Sequence, residues 1–371
     1  MRLSQPQSRL RSLDVFRGIT IASMILVNSP GSPANSYPFL RHAEWFGWTF
    51  ADTIFPAFLT IIGVAVTFSL GGRVERGESR ASLLRDAVQR SALLYGCGIL
   101  LSDIVLPVRP FPYIQFTPYL QLTGVLQKIA VCYLAATVIF LWSGWRGIIA
   151  GIVVMNLAYL GLMYFLAIPG CSAGTWSVEC NFAGYVDRLV LSGHMGRGQM
   201  VQDPDGLGSL LPAISNVLFG VGAGVLLRRA PDHRSRLRSL LTMGAGLLAG
   251  GLVLSIWIPI SKPLWTTSFA VLMSGVALLG MAVCYWVVDV RQWIRPFTPF
   301  EILGMNAIAA YIVSMLGRSI ALMHLFGPNL YEVLLGVASP ANASLAYAVT
   351  WLLAVYAVAW VMYRRRWFLR F

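Results

Sequence analysis

Histidine is scarce in this sequence, and one of its four copies stands among residues able to move a proton. His42 lies between Asn28 and Asp52, in the stretch Leu40-Arg41-His42-Ala43-Glu44-Trp45. Imidazole suits general-base work near neutral pH. Glu44 and Asp52 would orient it and keep it basic, and the Asn28 amide would donate a hydrogen bond beside it. The same residues also suit an interfacial histidine beside tryptophans, and the sequence alone leaves both readings open. His194 falls in a long polar loop, His233 in a basic loop and His324 at the end of an apolar run. No His, Cys or Asp spacing resembles a metal-ligand set, so no metal is expected.

Other charges stand where apolar residues surround them. Lys128, in Gly124-Val125-Leu126-Gln127-Lys128, needs a carboxylate, a phosphate or water as partner. Asp14 and Arg17 are three apart and share a helix face, which suits either a self-neutralising pair or an anionic cofactor. Asp103, Asp289, Glu301 and Arg318 sit in or near apolar runs. Gln202-Asp203-Pro204-Asp205-Gly206-Leu207 reads as ordinary helix initiation or as a place where Asp203 or Asp205 meets a polar or cationic substrate. Trp257, Pro259, Lys262, Pro263 and Trp265 form a tight corner, in which Lys262 and Trp265 are candidate substrate contacts.

These residues must be positioned by apolar elements. The chain has 371 residues, 57% hydrophobic and only 12% charged, with a mean hydropathy of +0.68. A soluble domain carries about 25% charged residues, and disorder requires low hydrophobicity. Long unbroken apolar runs argue against a β-barrel's alternation. The expected class is all-α: a polytopic helical membrane protein. Ten apolar runs approach the roughly 20 residues a span requires: 13–30, 49–71, 91–108, 118–142, 147–168, 208–228, 239–259, 264–289, 300–322 and 342–363.

The net charge of +13 would suggest nucleic acid in a soluble protein, but here the placement of the charges decides, and no nucleic-acid partner is expected. Alternate connectors and the two ends hold 20 basic residues, from Arg2 and Arg9 to Arg370. The remaining connectors hold five: Arg41, Arg109, Arg188, Arg197 and Lys262. The bias of Lys and Arg toward the cytoplasm then puts both termini there and the 169–207 loop outside. No cleavable signal peptide is expected, since Asp14 and Arg17 interrupt the first apolar run. Residues 1–371 read as one membrane domain. In an oxidising compartment Cys171 and Cys180 would form a disulfide pinning the outer loop; two free thiols are the alternative.

Ser12-Leu13-Asp14-Val15-Phe16-Arg17-Gly18, Met24 to Asn28 and His42-Ala43-Glu44-Trp45-Phe46-Gly47-Trp48-Thr49-Phe50-Ala51-Asp52 resemble the opening of the heparan-alpha-glucosaminide N-acetyltransferase family. The resemblance runs on, in family order, through Gly124 to Ala130, Asp203 to Leu207, Lys262 to Phe269 and Gly304-Met305-Asn306-Ala307. It is to the family's bacterial branch. It implies a transmembrane acyltransferase of the inner membrane that takes acetyl-CoA from the cytoplasm and acetylates an amino sugar on the other face. His42, Asn28 and Asp52 take the family's catalytic positions. Asp14, Arg17, Lys128 and Asn306 are expected at the donor, and Glu44, Asp203, Asp205, Lys262 and Trp265 at the acceptor. Lys128 stands where Arg is common, which keeps the charge and loses bidentate geometry. Direct transfer is favoured over an acetyl-histidine intermediate, and a homodimer is left open. The rival class is a permease for an N-acetylglucosamine-type sugar.

Overall fold

The structure is a computed structural model that describes residues 10–105, 120–195, 201–320 and 327–369. Arg2, Arg9, Arg109, Arg197, His324 and Arg370 lie outside the described residues, as do the side chains of Asp103 and Arg318. Among the described residues the chain is helical, without strands. The elements that frame the interior are α1 (Arg11–Asn28), α2 (Phe50–Glu75), α3 (Arg80–Val105) and α4 (Val125–Phe165). A short α5 (Phe182–Val190) precedes α6 (Leu210–Arg229), α7 (His233–Leu254) and α8 (Thr267–Cys284), which continues as a π-helical turn over Tyr285–Val290. Then come α9 (Thr298–Met305), α10 (Ala307–Ile320), α11 (Gly327–Leu335) and α12 (Pro340–Arg364).

Among the described residues each of the ten apolar runs overlaps a helix. By length and composition six of these helices can cross a membrane, or seven if α9 and α10, bent by 73° at Asn306, count as one broken span. α1 has only 18 residues and carries Arg11, Asp14 and Arg17, and α3 is also rich in charge, so neither passes on hydropathy. α4 holds two of the runs. Its 41 residues would extend about 60 Å if straight, twice a hydrocarbon core. At Gly144 the backbone leaves the helix with φ 57°, which glycine adopts without Cβ strain. The two arms then fold back: a Cβ on Gly151 would lie 3.3 Å from the Ile139 side chain, residues about 18 Å apart on a straight helix.

The core lies where α2 and α6 cross, with α4 and α8 packed around them. Gly63 and Gly220 face each other there, and a Cβ on either would overlap the opposing backbone. Small residues at such crossings let helices approach where burial away from water gives no drive. α1 lies along α2 and α9, leaving its inner face beside an open interior.

Candidate active site at the end of a through-cavity

The N-terminal turn of α2 builds the centre. Asp52 is the third residue of this helix, and one carboxylate oxygen, Oδ2, accepts the Thr49 N–H at 3.0 Å and the Ala43 N–H at 3.0 Å. This capping arrangement satisfies helix donors that would otherwise be orphaned. The Thr49 hydroxyl donates to the Arg41 carbonyl at 2.6 Å, folding the 41–49 segment over the helix end. The other oxygen, Oδ1, meets His42 Nδ1 at 2.7 Å and Lys262 Nζ at 3.4 Å. Asp52 itself is fully buried, while the His42 side chain is 44% exposed.

A carboxylate only accepts hydrogen bonds, so His42 Nδ1 carries a proton, and Nε2 of the neutral ring is the nitrogen with a lone pair. Lys262 Nζ stands 2.9 Å from Nδ1 and 3.2 Å from Nε2. Burial pushes the Lys262 ammonium below the usual lysine range, against the opposing pull of Asp52 and Asp205. Asp205 faces the same space, and burial pushes its carboxyl up.

How Lys262 reaches the cavity while Trp265 turns away follows from the backbone. Trp265 has φ 50°, an unusual conformation for a bulky residue. Its fully buried indole donates from Nε1 to Asn216 Oδ1 at 2.8 Å, and its N–H closes a turn on the Lys262 carbonyl at 2.9 Å. Asn216 is itself held by the Ala270 carbonyl and Ser274 on α8.

A cavity of about 770 Å³ runs from this centre through the bundle. Asn28, His42, Asp205 and Lys262 line one end; Asp14, Arg17, Ser69 and Arg90 line the other. Along α1 the rise from Asp14 to Asn28 is about 21 Å. The wall between is mostly apolar, with Ile21, Met24, Phe55, Phe58 and Ile129 among its residues. Arg17 Nη1 meets Asp14 Oδ1 at 3.2 Å at the far end. Arg90 is a binding candidate that sequence reading missed, because it counted as the last arginine of a basic connector; its place one residue before the 91–108 run was the only signal.

Asp52 stands behind His42 and off the cavity lining, and five other expected site residues also stand apart from it. Lys128, expected at the donor beside Asp14 and Arg17, is instead fully buried near the opposite end. Its Nζ donates to the Pro204 carbonyl at 3.0 Å and Ser209 Oγ at 2.8 Å, and lies 3.8 Å from the Trp265 ring centroid and 3.9 Å from Asp205 Oδ1. Those partners consume the ammonium, so its chemistry is structural. Trp265 is beneath it. Asp203 turns inward, where Oδ1 accepts the Asp205 N–H at 2.9 Å and Oδ2 accepts the Thr123 hydroxyl. Glu44 is solvent-exposed. Asn306 is buried at the α9–α10 bend between the cavity-lining residues Met305 and Ala307.

The other described histidines serve elsewhere: His194 Nδ1 donates to the Leu120 carbonyl at 2.8 Å, and His233 Nδ1 lies 2.7 Å from the Tyr285 hydroxyl. Cys171 and Cys180 are bonded, with Cα atoms 5.6 Å apart. No group able to hold a metal ion is found among the described residues.

Fold and site together define a multi-pass helical membrane protein with an imidazole–carboxylate pair at one end of an interior cavity and arginines at the other. Residues 9–180 match the family model "Heparan-alpha-glucosaminide N-acetyltransferase, catalytic". The heparan-alpha-glucosaminide N-acetyltransferase of Homo sapiens is 29% identical over 369 residues, covering 84% of this chain and 53% of the relative. That of Mus musculus is 28% identical over 359 residues, covering 82% and 53%. The chain spans about half the length of these curated relatives. The family model and both relatives carry the name heparan-alpha-glucosaminide N-acetyltransferase, to which this chain is similar.

Proposed function

We propose that the protein is a transmembrane acyltransferase of the bacterial inner membrane, carrying an acetyl group from cytoplasmic acetyl-CoA to the amine of a glucosamine-type sugar on the periplasmic side. One observation carries this reading: a single cavity has cations at one end and an imidazole–carboxylate pair at the other. The cations suit the phosphates of a polyanionic donor, and the apolar wall suits a long thioester arm. The amino-sugar acceptor comes from the names of the relatives.

At the reacting end His42 Nε2 removes a proton as the acceptor nitrogen attacks the thioester carbonyl carbon. Asn28, on the same cavity wall, donates a hydrogen bond to the oxygen that becomes negative. Asp52 holds the imidazole tautomer and stabilises the imidazolium formed. The C–S bond then breaks, the thiolate takes the proton from His42, and the products are an amide and a free thiol. Asp205 contacts the acceptor's ammonium or hydroxyl groups, and Lys262 withdraws from Nε2 for the base to work. Direct transfer needs no covalent histidine intermediate.

The test is purified protein with radiolabelled acetyl-CoA and a panel of amino sugars, with His42→Ala alongside. Labelled N-acetyl sugar from wild type, and none from a variant that still binds acetyl-CoA, is the expected result. Solute counterflow in proteoliposomes without any acyl donor, and no CoA binding, would replace this reading with a sugar permease.

A further inference from the structure

We infer that Asp187, on the short helix α5, is a positioning residue that holds the 202–209 segment so that Asp205 stands in the cavity wall. The inference rests on the reading of that end as the acceptor side. Asp187 is 1% exposed and is not among the residues lining this cavity. Its Oδ1 accepts the Gly208 N–H at 3.1 Å, and its Oδ2 faces the Asp203 N–H at 3.4 Å. A Cβ on Gly206 would overlap the Asp187 carboxylate, and one on Gly208 would overlap Ala183, so glycine alone permits this approach.

The segment is gripped from both sides. Asp187 takes its backbone amides, while Lys128 of α4 takes the Pro204 carbonyl and Ser209. The charged groups that act on Asp187 are Asp203 within the segment and Lys128 across it. With its backbone secured, the segment presents Pro204 and Asp205 to the cavity.

α5 is itself anchored, which is what a brace requires. Asn181 caps it by accepting the Gly184 N–H at 2.6 Å. The Arg188 guanidinium donates to the carbonyls of Val201 at 2.7 Å and Glu179 at 3.3 Å, tying the helix to the segment's start. The Cys171–Cys180 bond precedes the cap directly. Asp205 therefore owes its placement to a carboxylate in a different helix, and Asp187 acts through it rather than on the acceptor.

The test compares Asp187→Ala and Asp187→Asn in the full chain by three readouts: amide hydrogen exchange at residues 203–208, acetyl-CoA affinity, and kcat and KM for the amino sugar. Asp187→Ala is expected to speed exchange at Asp203 and Gly208 and to raise the acceptor KM about 10-fold, as loss of one or two hydrogen bonds would. kcat and acetyl-CoA affinity stay within about 3-fold. Asp187→Asn keeps one acceptor oxygen and falls between; it carries the same readouts should Asp187→Ala not fold. Unchanged exchange and KM overturn the proposal, and so does a parallel loss of acetyl-CoA affinity, which would assign Asp187 to folding at large. Where wild type acetylates no amino sugar, the acetyltransferase reading fails, and exchange alone decides the role of Asp187.

Discussion

Lys262 Nζ stands 2.9 Å from His42 Nδ1 and 3.2 Å from Nε2, against the imidazole that Asp52 holds through Nδ1. The two residues are 220 positions apart in the chain. The ammonium supplies the positive charge that the fully buried Asp52 requires, so the imidazole need not. With Lys262→Met, Asp52 can draw positive charge only from His42, and the base loses its lone pair. Acetyl transfer at pH 7 should fall about 10-fold and recover as pH rises. A loss of equal size at every pH contradicts this role, and pH–rate profiles of both proteins decide it.

Arg90 and Arg17 come to the same end of the cavity from α3 and α1. Arg90→Ala should weaken acetyl-CoA binding about 10-fold at low salt and less at high salt, because a half-exposed cation is screened. Calorimetric titration at two ionic strengths measures it. The acceptor KM should not move.

Lys128 is a buried cation whose partners are fixed. Lys128→Ala takes the ammonium away from the Pro204 carbonyl, Ser209 Oγ and the Asp205 carboxylate 3.9 Å off, a loss of roughly 3–5 kcal/mol for a broken buried pair. Lys128→Arg should not rescue it, since a planar guanidinium does not fit where one Nζ meets Pro204, Ser209 and the Trp265 face. Thermal unfolding in detergent should show both variants well below wild type.

Burial pushes the Asp187 carboxyl up to about 6, outweighing its backbone hydrogen bonds. A carboxyl raised above its unfolded value takes up a proton more readily when folded. Its contribution to stability is full below the ordinary carboxylate range and is lost as pH rises through about 6. Asp187→Asn stays neutral, so the wild-type decline in unfolding temperature between pH 4 and about 6.5 should flatten in this variant. Parallel curves would show that another group sets the slope.

Much of the architecture was legible in composition and apolar runs, because lipid demands helices whose polar backbone is satisfied internally. The runs overlap the helices, and the break in α4 at Gly144 falls in the 143–146 connector between two runs. What the runs could not show is that α9 and α10 bend sharply at Asn306. That bend depends on backbone torsions and packing that hydropathy does not encode. At the site, residue type and resemblance singled out His42, Asp52 and Asn28, and the structure places His42 against Asp52 and both His42 and Asn28 on the cavity wall. Lys128 was misplaced for a physical reason: a buried cation announces that it has a partner, but not whether the partner is ligand or protein.

By itself the sequence determined an all-helical membrane protein, a family resemblance carried by motifs in order, and a histidine flanked by carboxylates. Those properties are local, written in neighbouring residues and in the cost of placing charge in lipid. Only the tertiary structure decided that Lys262 closes on His42, that Arg90 joins Arg17, and that Asp187 and Lys128 clamp the segment bearing Asp205. Each of these joins residues far apart in the chain, and it is the packing of separate helices that sets their distances.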